Sequence, residues 1–460
     1  MDNNLNQIFA SEYFDTIFRF LPDNEDLHSC LLVNKNWATC AVPILWEAPF
    51  RFYDEDIPFT YDEDIQFHKV IQTYLAFIPD STFRKLGYNR RIGLSNSRPL
   101  FFNYPSFIKE LSYDHLLNAA IAYNCSEDII IELFKLFAIN NVRLRRLEIY
   151  SCLNNYNENL NKIGYLVPQF YECTSVFSRL TYFNCSYRCP MQKTQLFNAI
   201  ANHYRNIKTL KVSIYDENEG MALGGLIRSQ RNLRKFALIN SNHFASFPIQ
   251  ALMNQKHSLD SLALEDMHGN RYLSKTKFFN YTICQLNSSA IDVLAQCKNV
   301  NKVKFKHCEG LNSSVFLPLA IAFSNLTSLE YTYGNYDFYD SATPIRLLSG
   351  LIMTSCNTLK RIVLDWYSEA NLDITQLVGI IAQQVTNLEY LKIPLYTLEQ
   401  LALIHQTHNQ LKKLEINMKR GTNPYYALSL LTNVHSKALS TQVICISIIV
   451  DIILKNNIVY

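Results

Sequence analysis

Two pairs of side chains in this sequence stand at spacings that could hold a metal ion. His405 and His408 lie three residues apart in a helix-patterned stretch, and Cys185 and Cys189 lie four apart. A protein zinc site needs three or four ligands, usually as two such pairs. Neither pair has a second at zinc-finger spacing. The nucleophile elbow G-x-S-x-G, the H-E-x-x-H zinc motif and the kinase motif set do not occur. Nor do G-x-G-x-x-G or G-x-x-x-x-G-K-[ST], in a chain with 12 glycines. The expectation is a non-catalytic chain with no metal and no cofactor.

The densest cluster of one charge sign is Lys302, Lys304 and Lys306. In a strand, alternate residues share a face. All three ammonium groups would then sit together and repel unless something acidic lies among them. An acidic segment or a phosphate group would meet that need. The same alternation places Arg146 and Glu148, Lys211 and Ser213, Glu330 and Thr332, Arg361 and Asp365, Tyr390 and Lys392, and Lys413 and Glu415 on one strand face. From these we take Lys211, Lys302, Lys304, Lys306, Arg361, Tyr390 and Lys392 as candidate contacts for a protein partner.

The elements that would position these residues repeat along the chain. Ten segments fit apolar-x-x-apolar-x-apolar, beginning at Leu144, Leu180, Ile207, Leu233, Leu259, Val300, Leu326, Leu359, Leu388 and Leu411. Any one match is expected by chance in a chain 48% hydrophobic; the spacing carries the signal. Successive starts differ by 36, 27, 26, 26, 41, 26, 33, 29 and 23 residues. Most of these fall in the roughly 20–29-residue period of leucine-rich repeats.

Helical patterns precede many of the segments, at 194–204, 289–297, 314–323, 343–355, 374–385 and 397–408. Asn206, Asn232, Asn299, Asn325 and Asn387 stand directly before a first apolar position. Asparagine tolerates the left-handed conformation that ends helices. The unit predicted is helix, Asn turn, short strand. The fold class is therefore α/β, a leucine-rich-repeat solenoid of about ten repeats over 127–442, with a parallel sheet on its concave side and helices on its convex side. Three long intervals mark insertions, at 150–179, 265–299 and 331–343, the last rich in tyrosine.

Residues 1–50 read differently. Ser11 is a candidate helix cap, and Phe14, Ile17, Phe18 and Leu21 share one helical face. A second helix starts near Asn24 and carries Leu27, Cys30 and Leu31, with Leu32 and Val33 on a second apolar flank. A third contains Trp37, Ala41, Ile44, Leu45 and Trp46, bent at Pro43. Three short helices cannot bury this much apolar surface among themselves. The excess reads as a docking surface or as contact with the rest of the chain.

The residues Ile8–Phe50, IFASEYFDTIFRFLPDNEDLHSCLLVNKNWATCAVPILWEAPF, resemble an F-box of the fungal F-box/leucine-rich-repeat type. The matching pieces are Phe14-x-x-Ile17-Phe18, the run Asp26 to Trp37 with Leu32-Val33-x-x-x-Trp37, and Ala41-Val42-Pro43-Ile44-Leu45-Trp46. Where the family often opens with Leu-Pro, this chain has Ile8-Phe9. The resemblance implies a Skp1-like adaptor as partner and, through it, a cullin–RING ubiquitin ligase. The repeats would bind a protein substrate. Phe14, Ile17, Leu21, Leu27, Leu32, Val33, Trp37, Leu45 and Trp46 would form or brace the Skp1-binding face. A scaffold acting outside any ligase, and a receptor for a small molecule, are the rival readings.

The remaining features are bland. Residues 51–126 read as a linker with a helical bridge through Phe67, Val70, Ile71, Tyr74, Leu75 and Ile78, and the acidic run 53–57 recurs at 61–65. Residues 443–460 read as an apolar tail or cap. Its run Val443–Val450 is shorter than the about 20 residues that cross a bilayer. No secretory signal is evident. Scattered cysteines without C-x-x-C suit a reducing compartment, the cytoplasm or nucleus. With Lys+Arg 43 against Asp+Glu 40 the net charge is +3, which argues against nucleic acid as a partner held by net charge.

Overall fold

The computed structural model describes residues 13–21, 24–50, 61–87, 100–123, 125, 128–149, 166–186, 190–239, 243–265, 286–306, 308, 311, 314–333, 344–366, 374–394, 398–407 and 411–417. The tail 443–460, the tyrosine-rich insertion beyond Tyr333, the acidic run 53–57, His408 and Cys189 lie outside them.

The fold is α/β. Eleven strands are described: β1 (Glu110–Ser112), β2 (Arg146–Ile149), β3 (Tyr182–Cys185), β4 (Thr209–Ser213), β5 (Lys235–Ile239), β6 (Ser261–Glu265), β7 (Lys302–Lys306), β8 (Ser328–Tyr333), β9 (Arg361–Trp366), β10 (Tyr390–Pro394) and β11 (Lys413–Asn417). All ten segments of the periodic pattern became strands, β2 to β11. The chain forms two compact units, Met1–Val212 with Ser229–Arg231, and Ser213–Arg228 with Asn232–Tyr460. In the first, β1 to β4 pair in parallel in chain order. In the second, β5 to β11 do the same. Strand order that follows chain order, with helices between, is what stacking of a repeated helix–strand unit produces.

The alternation along each strand explains the sheet's two faces. Phe236 and Leu238, Leu262 and Leu264, Val303 and Phe305, and Leu391 and Ile393 are buried, while their neighbours Lys235, Ser261, Lys302 and Tyr390 are exposed or half-buried. Helices Ser288–Gln296, Leu317–Ala322, Ile345–Thr354, Thr375–Gln384 and Leu398–Thr407 precede β7 to β11 in turn, close to the helical patterns expected. Glu217–Ser229 and Ser246–Ala251 are among the helices that were not expected. The first carries glycines at 220, 224 and 225, residues that count against a helix by propensity. Packing overrides that here: a Cβ on Gly220 would meet the Phe244 carbonyl oxygen at 3.0 Å.

Two findings differ from the sequence reading. The sheet begins at β1, upstream of residue 127, because Ile108, Leu111 and Tyr113 repeat the apolar spacing and are all buried. Lastly, the asparagines do not turn through the left-handed region. Among described non-glycine residues only Asn141, at the end of a helix, has positive φ. Asn299 and Asn387 instead donate side-chain hydrogen bonds to the carbonyls of His257 and Asn357 in the preceding repeat, both at 2.7 Å.

Other buried polar side chains make the same kind of stitch. Gln255 accepts from the Leu233 N–H (3.1 Å) and donates to the Ile227 carbonyl (3.1 Å). Ser355 accepts from the Leu326 N–H (3.2 Å) and donates to the Phe323 carbonyl (2.7 Å). Gln230 does so for Ile207 and Tyr204 in the first unit. Each satisfies buried backbone groups where a helix gives way to a strand.

Ahead of the sheet lie three helices, α1 (13–18), α2 (Asn24–Leu31) and α3 (Lys35–Leu45). The Asn34 side chain caps α3 by accepting from the Trp37 N–H at 2.9 Å. Helices α4 (Tyr61–Leu75), α5 (Asp80–Lys85), α6 (Tyr113–Ala122) and α7 (Ile129–Ile139) follow. The predicted bridge is present in α4, with Phe67, Ile71, Tyr74 and Leu75 buried.

Candidate functional site

Two surfaces bring sequence-predicted site residues together. The first is built on α1 to α3. Phe18, Leu27, Cys30, Cys40 and Ala41 form its core, and Phe14, Leu21, Leu31, Trp37, Ile44 and Leu45 pack around that core. The Trp37 ring lies 5.4 Å from Phe14 and 5.2 Å from Phe18, centroid to centroid. These residues hold the trihelix together. Leu32 is 88% exposed, Val33 56% and Ile17 54%, whereas Leu27 is 6% exposed. Of the nine predicted contacts, then, these three face solvent outright.

Two residues of this surface escaped sequence reasoning: Phe20, 83% exposed, and Tyr13. Their signal was available. With Ile17 they stand at i, i+4 and i+7, the spacing of one helical face, and all three are exposed.

Trp46, at the end of α3, faces inward. Its ring lies 4.4 Å from Tyr104 and 5.6 Å from Tyr74, so its place is in the joint between the trihelix and the helices after it. Phe50 continues that joint, buried against Phe67 and Tyr74, and its carbonyl meets His115 Nδ1 at 2.8 Å.

Glu47 makes the joint electrostatic as well. Its carboxylate pairs with Arg19 of the trihelix (2.8 Å), with Lys109 and with Arg145 (3.3 Å). Its carbonyl accepts from the N–H groups of Lys109 (2.8 Å) and Glu110 (2.9 Å), at the start of β1. The residue before most later strands does the same: Lys109 for Arg145 and Arg146, Arg145 for Thr181 and Tyr182, Asp260 for Asn301 and Lys302. The chain after α3 therefore occupies the place of a preceding repeat and caps the sheet of the first unit. Burial alone would raise the Glu47 carboxyl; hydrogen bonds from Arg19 and Lys109 and their charge outweigh it and hold it below the usual carboxylate range.

The second surface is the open face of β5 to β11. Residues in register form rows across the strands. One row is Ala237, Ala263, Lys304, Glu330, Val363, Lys392 and Glu415. Lys304 lies 3.2 Å from Glu265 and 3.2 Å from Glu330. Desolvation lowers its affinity for a proton, but the two carboxylates prevail and raise it. The acid that the lysine ladder calls for is thus supplied by the chain's own neighbouring strands, β6 and β8. Lys392 pairs with Asp365 at 2.6 Å, and Lys413 with Glu415 at 2.6 Å.

Tyr390 lies under the Arg361 guanidinium, 3.9 Å from centroid to carbon. The charge pattern therefore divides the predicted set. Lys304 and Lys392 are neutralised in place, whereas among the described residues Lys302, Lys306 and Arg361 have no carboxylate at ion-pair distance. Lys211 stands on β4 in the other unit, in register with Asn184.

Among the described residues no group of three or more histidine, cysteine or acidic side chains is placed to hold a metal. No described helix is long and apolar enough to cross a membrane. The described cysteines, Cys30 and Cys297 among them, are free thiols. No protein-family model matches the chain, and no curated protein matches it.

Proposed function

We propose that this chain is the substrate-recognition subunit of a Skp1–cullin–F-box ubiquitin ligase, working in the cytoplasm or nucleus. The carrying observation is the exposure of Leu32, Val33 and Ile17 on a trihelix that already has its own core. Side chains of this kind gain about 1.5–3 kcal/mol each on full burial, and a Skp1-like adaptor supplies the surface that buries them. The resemblance of Ile8–Phe50 to an F-box selects that partner among apolar ones.

The repeat strands then offer a partly charged open face to a protein substrate. The chain performs no bond chemistry. It holds the substrate near a ubiquitin-charged enzyme bound elsewhere in the complex and so raises the effective concentration of the reacting groups. The packed joint through Glu47, Trp46 and Phe50 suits that role, because it ties the docking helices to the helices and strand that follow.

Co-expression of the full chain with Skp1 and a cullin tests the reading. Capture of the wild-type chain should bring down both, and capture of Leu32→Asp neither, with the two chains melting alike. Skp1 without cullin would indicate the scaffold instead. A folded wild-type chain that captures neither contradicts the proposal.

A further inference from the structure

The open face of the second unit carries a second row, one residue pair toward the strand starts from the row of Lys304. In register it reads Lys235, Ser261, Lys302, Ser328, Arg361, Tyr390 and Lys413 across β5 to β11. It contains four cations and no anion. Lys413 is engaged by Glu415. Lys235, Lys302 and Arg361 are exposed, and among the described residues none has a carboxylate at ion-pair distance. The acids of this face, Glu265, Glu330, Asp365 and Glu415, stand one or two register positions further along and are occupied by Lys304, Lys392 and Lys413.

The free cations recur at every second strand. Strands stand about 4.8 Å apart, so successive cations are spaced by about 10 Å. A serine, Ser261 or Ser328, half-buried, fills each gap and offers a hydroxyl. A polyproline II segment has three residues per turn and rises about 3.1 Å per residue. It therefore presents every third side chain on one face, at about 9 Å. In a β-extended segment the third residue would point away.

We infer that Lys235, Lys302 and Arg361 seat an acidic peptide in polyproline II conformation, lying across the strands, with Asp or Glu at every third residue. The inference rests on the adaptor reading only in taking that peptide as part of a substrate. A phosphodiester strand suits the row less well, because it carries charge at every residue and would meet Glu330 and Glu265 alongside the cations. The single aromatic of the row, Tyr390, is half-buried and already covered by Arg361, which leaves no platform for stacking bases.

The test uses the full-length protein and a fluorescein-labelled (Glu-Pro-Pro)4 peptide, read by anisotropy. A peptide of the same composition with its four glutamates contiguous, and a tetranucleotide, serve as comparisons. The (Glu-Pro-Pro)4 peptide should bind at least about fivefold more tightly than either, and added salt should weaken it. Lys302→Ser and Arg361→Ser should each weaken binding by about three- to tenfold, while Lys69→Ser, at an exposed lysine of α4, changes it less than twofold. Equal binding of the contiguous peptide, tighter binding of the tetranucleotide, no binding, or an equal loss with Lys69→Ser overturns the inference. Retained Skp1 capture without peptide binding sinks this row alone. Peptide binding without Skp1 capture sustains the row and sinks the adaptor reading.

Discussion

Glu47 joins three parts of the first unit through one carboxylate, and its removal should be felt in all of them. With Arg19, Lys109 and Arg145 left facing each other, Glu47→Gln should cost about 2–4 kcal/mol in urea or thermal unfolding at neutral pH. The carboxyl is held below its ordinary range in the folded state. Its contribution is therefore complete above the unfolded carboxyl value and lost as pH falls through the folded one. Melts between pH 7 and pH 3 should show the gap between wild type and Glu47→Gln closing below the ordinary carboxylate range. A gap that is constant with pH would mean the ion pairs contribute nothing.

Tyr74 predicts the opposite sign. Its hydroxyl is fully buried and has no hydrogen-bond partner among the described residues, and burial pushes its ionisation far up. Tyr74→Phe should leave stability unchanged or raise it by about 1 kcal/mol, since the ring contacts with Trp46 and Phe137 remain. A measured loss would show that the hydroxyl is satisfied by an ordered water.

At the scale of elements, the repeat is a strand joined to its neighbour by buried polar side chains. Ser355→Ala leaves the Leu326 N–H and the Phe323 carbonyl without partners, and Gln255→Leu does the same for Leu233 and Ile227. Each should cost about 1–3 kcal/mol, with hydrogen exchange at Leu326 or Leu233 rising first. Global unfolding without that local change would contradict the assignment.

The strands themselves were legible because the apolar spacing that marks them is also the spacing that buries them. Leu144, Leu180 and Leu259 each open a segment whose inner residues are sealed. The strand at Glu110 was missed although Ile108, Leu111 and Tyr113 obey the same rule, because it falls in the irregular stretch 51–126 read as a linker. The turn asparagines were found for the wrong reason. Residue type gave a backbone preference, but the hydrogen bond from Asn299 to His257 depends on which repeat lies alongside, a non-local fact. The candidate lysines suffered likewise. The Lys302, Lys304 and Lys306 alternation is local, whereas the acids on β6 and β8 that split it become neighbours only through register.

For the whole molecule, the proposed function has one apolar surface on the trihelix as the point of attachment and one cationic row as the point of recognition. The two are separable, since Leu32 and Lys302 stand in different compact units. The trihelix core, Phe18, Leu27 and Cys30, should be intolerant of charge: Leu27→Asp should unfold the N-terminal helices and lose circular-dichroism signal. Leu32→Asp should leave folding intact.

The most direct measurement is calorimetric titration of purified Skp1 into the full-length chain and into its Leu32→Asp variant. The account predicts saturable binding by the wild type and at least about a tenfold weaker affinity for the variant, about 1.4 kcal/mol or more, at an unchanged melting temperature. Equal binding by the two folded proteins, or none by the wild type, contradicts it.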